Sequence, residues 1–136
     1  MASKLLNRRF ARGRVLCSPQ EAKSFVAMKL GHLGHEVFAV LFLDNRHRVL
    51  GFEKLFRGTI DGASVHPREV VKMALKHNAA ACIFAHNHPS GVAEPSQADQ
   101  CITQRLKDSL ALVEVRVLDH MIVAEHTCSF AERGLL

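Results

Sequence analysis

The sequence predicts a mixed α/β (α+β) domain, a mixed β-sheet flanked by helices, and three observations predict it. Short apolar runs rich in branched and aromatic side chains alternate with stretches whose apolar residues recur at helical spacing. Serine, proline and asparagine stand at the junctions as start and stop signals. The 136 residues are enough for one core and show no repeat, linker or low-complexity segment, so one layered domain is expected. A hydrophobic share of 48% with 23% charged residues and a mean hydropathy of +0.04 excludes disordered and collagen-like classes.

Ser18, Pro19 and Glu21 offer an N-cap, a proline at the first helical position and an acid at the third. Ala22, Phe25, Val26, Met28 and Leu30 follow at helical spacing, so a first helix is expected from about Pro19 to Leu30. Residues 36–44 (EVFAVLFLD) read as a buried strand, and Asn45 and Arg46 as its turn. Residues 48–59 read as the partner of that strand in a hairpin, with Gly51 at a bulge. His66 and Pro67 open a second helix that ends near His77 and Asn78. Residues 79–85 (AAACIFA) form a central strand, which the loop composition of residues 86–91 (HNHPSG) is expected to stop. Glu94, Pro95 and Ser96 announce a third helix from Gln97 to Ala111. Residues 113–118 and 121–124 complete the sheet as one long bent strand or two.

Charge divides the chain unevenly. Residues 1–35 carry seven basic side chains against Glu21 alone, a balance of +6, and the remainder carries eleven basic and twelve acidic ones, or −1. We therefore divide the chain into a basic N-terminal arm, residues 1–14, and a single domain, residues 15–136. The arm can hold DNA weakly and without sequence preference through its phosphates, but the plainer reading, a solvated tail, is favoured because no stacking aromatics interleave the charges. No apolar run approaches the roughly 20 residues of a membrane span, so no membrane partner is expected. Cys17, Cys82, Cys101 and Cys128 are scattered, without a CxxC, and read as reduced thiols of a cytoplasmic protein. Cys82 reads as a small buried hydrophobe.

The chemistry lies at the end of the central strand. His86 and His88 are two residues apart, so on an extended backbone their side chains face one side and suit two ligands on one metal. An open zinc site uses about three protein ligands, usually imidazoles and a carboxylate, and Asp99 is the natural third. Two neutral imidazoles and one carboxylate leave the ion net positive, which acidifies water and polarises a carbonyl oxygen. Glu36, at the head of the first strand, is a candidate proton acceptor outside the ligand set. Each residue also has a plainer reading. The chain has nine histidines, Ser96 to Asp99 has the form of a capping box, and a glutamate at a strand start is commonly just a polar residue. Their joint occurrence at one spacing favours the site. Asp119 and His120 sit between strand segments, where an aspartate could orient a ligand histidine through its second nitrogen, and their role stays open.

The spacing is HxH, seven residues, Ser, two residues, Asp, with a glutamate upstream: His86, His88, Ser96, Asp99 and Glu36. It resembles the JAMM metalloprotease motif of MPN+ (JAB) domains. The stretches DGASVHPREVVKMAL, AHNHPSGVAEPSQAD, LDHMIVAE and SFAERGLL further resemble the C-terminal domain of the RadC family of bacterial proteins, historically labelled as DNA repair proteins. This likeness covers Val15 to Gly134. It implies an MPN/JAB-type fold, layered like cytidine deaminases, with zinc held by His86, His88 and Asp99. Glu36 would be the general base, and the Ser96 hydroxyl would support an oxyanion. The resemblance implies a zinc-dependent metallohydrolase that cuts amide, peptide or isopeptide bonds in an unidentified peptide or protein. The alternative it implies is a non-catalytic binding module in DNA repair or recombination, or in a protein complex, and a homodimer is open. The helix-hairpin-helix region of longer members has no counterpart in this sequence. The letters HNH do not make an HNH nuclease, whose residues are dispersed, and a zinc deaminase would need a PCxxC that this chain lacks.

Overall fold

The computed structural model describes residues 13–58 and 65–136. Most of the basic arm, residues 1–12, lies outside the described residues, as do residues 59–64, which include the DGAS of the first motif stretch. The elements in chain order are helix α1 (Pro19–Leu30), strands β1 (Val37–Leu43) and β2 (Val49–Arg57), helix α2 (Pro67–Lys76), strand β3 (Ala81–Asn87), helix α3 (Gln97–Ala111), and strands β4 (Arg116–Val123) and β5 (Thr127–Ser129).

The five strands form one mixed sheet in the order β2-β1-β3-β4-β5. Only β3 and β4 pair in parallel, joined across α3, and the other neighbours are antiparallel. β1 and β3 are buried at every position because helices cover both faces of the sheet, which is why their sequences are continuous apolar runs. Val37, Ala39, Leu41, Ile83, Ala85 and Met121 face α1, packing on its Phe25, Val26 and Leu30. Phe38, Val40, Phe42, Cys82 and Phe84 face α2 and α3, packing on Val70, Ala74, Ile102, Leu106 and Leu110. Two cores on opposite faces make a three-layer α/β/α architecture, the mixed sheet flanked by helices that the sequence predicts.

The helix starts follow their expected signals. Ser18 Oγ accepts the Glu21 N–H at 3.2 Å, and the Glu21 carboxylate reaches back to the Cys17 N–H at 2.9 Å. Pro67 begins α2, and Asn78 just beyond its end adopts φ 53°, where asparagine is better tolerated than most residues. Gly51 adjoins a register shift between β1 and β2, and its missing side chain makes room for the His77 ring, which would lie 2.4 Å from a Cβ there.

Two features differ from expectation, the end of β3 and the presence of β5, and one open alternative is decided. β3 does not stop at Ala85: His86 and Asn87 continue it, because β1 and β4 flank them and pair Phe38 and Ile122 with His86. The C-terminal segments are one strand, bent where Leu118 interrupts the register between the Cys82–Val117 and Ile83–Asp119 pairs. β5, three residues long, is too short to show periodicity and exists by pairing with β4.

Candidate metal centre

Because β3 runs on, His86 is held on a strand between two neighbours, fully buried, on the α3 side of the sheet. His88 stays in line beyond the strand through its N–H bond to Val123 O at 2.8 Å. The following turn closes with Gly91 N–H on His88 O, and Gly91 takes φ 89°, which favours glycine. That turn returns the Val92 carbonyl to accept from His88 Nδ1 at 2.8 Å, leaving His88 Nε2 with its lone pair outward.

Asp99 arrives from the first turn of α3. Its carboxylate accepts the Ser96 N–H at 2.7 Å and Ser96 Oγ accepts the Asp99 N–H at 3.0 Å, a complete capping box. The same carboxylate faces both histidines, 3.2 Å from His86 Nε2 and 3.6 Å from His88 Nε2, and the two Nε2 atoms are 2.8 Å apart. Cap and metal ligand are therefore compatible functions of one side chain. Burial alone would raise the Asp99 carboxyl, but the hydrogen bond and charge of His86, with the Ser96 contacts, outweigh it and hold the group well below the usual carboxylate range.

These three donors fit a metal ion. Ligands about 2.0–2.2 Å from a tetrahedral ion lie roughly 3.3–3.6 Å from one another. The two Nε2 atoms are 2.8 Å apart, the nearest Asp99 oxygens, Oδ1 to His86 and Oδ2 to His88, lie at 3.2 and 3.6 Å, and one donor atom from each residue falls within 4.8 Å of the other two, close to that spacing. Two imidazoles and one carboxylate also leave a coordination position open.

Ser96 adjoins this cluster through its capping bonds with Asp99, and Glu36 lies on the chain leading into β1. Continuing the Phe38–His86 register by two residues places the Glu36 backbone opposite His88, at the head of β1, where its carbonyl accepts the Gly58 N–H. Ser96 is exposed at the α3 N-cap, its oxygen accepting from Asp99. A cleft of about 620 Å³ opens beside His88, between the α1–β1 connection and the loop, with Leu33, Asn87, Ser90 and Glu125 in its lining. A separate apolar pocket of about 290 Å³, lined by Leu16, Leu43, Ile83 and Met121, includes none of the metal-cluster residues.

Asp119 does not orient a ligand histidine. The register break at Leu118 turns its side chain toward the α1 face, where the carboxylate accepts the Ser129 hydroxyl, the His120 N–H and the Ala131 N–H. The residue that reaches the cluster is His120, whose Nε2 is 2.8 Å from His86 Nδ1 and whose Nδ1 is 2.5 Å from Thr103 Oγ1. Burial, then the charge of His86, pushes the His120 imidazolium pKa well below its usual value, so the ring is neutral. Asn87 is another residue the motif does not reveal. It faces the α1 side, accepting the Val37 N–H at 2.8 Å and donating to His35 O at 2.8 Å, which ties the head of β1 to the strand that carries His86. The signal for both was a polar residue inside an apolar strand, whereas Thr103 on α3 gave none.

Fold and site together define a JAB-type α/β domain with a buried His-His-Asp cluster able to hold a metal. The chain belongs to the RadC-like JAB domain family, whose model matches residues 16–135. It is 64% identical to a UPF0758 protein of Thioalkalivibrio sulfidiphilus, across all of this chain and 61% of that protein. Against a UPF0758 protein of Nitrosococcus oceani the identity is 70%, across 92% of this chain and 56% of the relative. A UPF0758 protein of Vibrio cholerae is 58% identical across 99% of this chain and 85% of its own length. The chain thus spans about 60% of the length of the first two relatives.

Proposed function

We propose that this chain is a zinc-dependent hydrolase of amide bonds, acting on a peptide or an isopeptide linkage. The observation that carries the reading is the convergence of His86 Nε2, His88 Nε2 and an Asp99 oxygen, with His86 and Asp99 buried, His88 half-buried, and each held by a hydrogen bond from behind. His86, His88 and Asp99 would hold the ion, and zinc supplies Lewis acidity that acidifies water and polarises the scissile carbonyl. Glu36, entering at the head of β1 opposite His88, takes the proton of the attacking water and delivers it to the leaving amine. Ser96, whose oxygen already accepts from Asp99, keeps its hydroxyl hydrogen to donate to the developing oxyanion. The cleft beside His88, the one residue of this set in its lining, would take part of an extended substrate.

Among the described residues no helix is long and apolar enough to cross a membrane, and the four cysteines are free, so we assign the chain to the cytoplasm. Elemental analysis of the purified chain, followed by a screen for amine release from peptide and isopeptide substrates, tests the function. One zinc per chain and turnover abolished by a chelator and restored by zinc are expected. Stoichiometric zinc with no turnover on any such substrate would favour the binding-module reading instead.

A further inference from the structure

His86 must present a bare Nε2 to serve as a ligand, and the residues behind it determine which nitrogen carries the proton. Thr103 Oγ1 lies 2.6 Å from the Asp99 carbonyl oxygen and 2.5 Å from His120 Nδ1. A carbonyl can only accept, so the single hydroxyl proton of Thr103 goes to Asp99 O, the familiar back-bond of a helical threonine to the fourth residue before it. His120 Nδ1 must then donate to Thr103. The ring is enclosed by aromatic neighbours, stacked on Phe130 at 4.5 Å between centroids and edge-on to Phe38 and Phe84. Its remaining nitrogen, Nε2, accepts, and the atom facing it at 2.8 Å is His86 Nδ1, which therefore carries the proton.

We infer that Thr103 and His120 form a relay that fixes the tautomer of His86, making both of them positioning residues for the metal centre. α3 supplies the ligand Asp99 and, one turn later, the anchor Thr103, so the same helix sets the carboxylate and the ring that opposes it. The C-terminal segment holds the relay from the other side. Phe130 N–H donates to His120 O at 3.0 Å, and Asp119 grips Ser129 and Ala131 on either side of Phe130. The inference rests on the metal-site reading of His86, His88 and Asp99.

Thr103→Val tests it without touching any ligand side chain. Valine keeps the volume and removes the hydroxyl, so His120 Nδ1 loses its acceptor and the proton can move to Nε2. A proton there points at His86 Nδ1 and drives the His86 proton to the metal-facing nitrogen. In competition with a chromophoric chelator, this variant should bind zinc about 10- to 100-fold more weakly, while Thr103→Ser, which restores the hydroxyl, should bind as the parent does. Nitrogen-15 spectra of the unaltered, metal-free chain at pH 8 should place the protons of His86 and His120 on Nδ1. A proton on His120 Nε2, or parental zinc affinity in the valine variant, would overturn the relay. Should the valine variant fail to fold, the spectra of the unaltered chain decide. A parent that binds no zinc while showing these tautomers would instead sink the hydrolase reading and leave the relay standing.

Discussion

His86 and Asn87 are neighbours on β3 whose side chains face opposite sides of the sheet, and each fixes a different half of the site. His86 meets Asp99 and His88 on the α3 face. Asn87 closes hydrogen bonds with Val37 N–H, His35 O and Leu33 O on the α1 face, bracketing Glu36. The strand period of two thus separates ligand from scaffold within one dipeptide.

Asn87→Ala should consequently destabilise the fold while leaving the metal ligands in place. It strands the buried Val37 N–H and His35 carbonyl, at about 1–3 kcal/mol for a group left unsatisfied. A denaturant midpoint that falls while zinc content stays near one per chain is the expected pair of results. Unchanged stability would mean that the connection before β1 is held by other contacts.

Asp99 closes the capping box and faces both histidines, and its variants separate the cap from the proposed metal ligand. Asp99→Asn keeps an oxygen to accept the Ser96 N–H but loses the charge, and Asp99→Ala loses both. Both should release the metal, because the remaining imidazoles are too few to hold it. The alanine variant alone should also lose the carboxylate half of the capping box, the bond from the Ser96 N–H, while Ser96 Oγ still accepts the N–H of residue 99, at about 0.5–1.5 kcal/mol of stability. Full zinc occupancy in the asparagine variant would remove Asp99 from the ligand set.

Glu36→Gln separates the base from the ligands. The amide keeps the shape and cannot take a proton, so zinc should stay bound while hydrolysis falls by about 100-fold or more. Loss of zinc would make Glu36 a ligand, and full activity on a confirmed substrate would require another base.

Much of this arrangement was legible in the sequence because the deciding signals are local. The caps at Ser18 and Ser96, the proline at the start of α2 and the apolar runs of β1 and β3 each declare themselves within a few residues. The clustering of His86, His88 and Asp99 was legible because HxH on an extended backbone and an aspartate in a capping box limit where those side chains can point. What was not legible depends on partners distant in sequence. β3 continues through His86 only because β1 and β4 extend beside it, and His120 rather than Asp119 reaches the His86 ring because Leu118 breaks the register. Thr103 acquires its part only from a ring seventeen residues away, and a helix pattern gives no hint of that.

The cysteines should divide into two classes. Burial pushes the Cys82 thiol up to about 12, and Cys128 is also buried, whereas Cys17 and Cys101 are exposed. The thiolate is the reactive form, so at pH 8 a rise from 9.0 to about 12 lowers the reactive fraction of Cys82 about 1,000-fold before access is counted. A native titration with a disulfide reagent should consume two thiols quickly and the other two only on unfolding. Rapid reaction of all four would show that the β3 core opens readily.

The basic arm provides the last test, because four of its basic side chains precede the first described residue that bonds to the sheet. Residues 1–12 contain Lys4, Arg8, Arg9 and Arg12, whereas Gly13 and Arg14 already bond to the edge of β2 through Gly13 N–H to Val49 O and Val49 N–H to Arg14 O. Deletion should therefore stop at residue 12. Four fewer charges remove up to four phosphate contacts, and the salt slope of binding scales at roughly 0.9 per contact on duplex DNA. Retention on DNA at low salt should fall sharply in the truncated chain, with its melting temperature and zinc content unchanged. If the truncated chain instead bound one DNA sequence or structure tightly at physiological salt, recognition would belong to the folded domain, and the binding-module reading would displace weak electrostatic attachment.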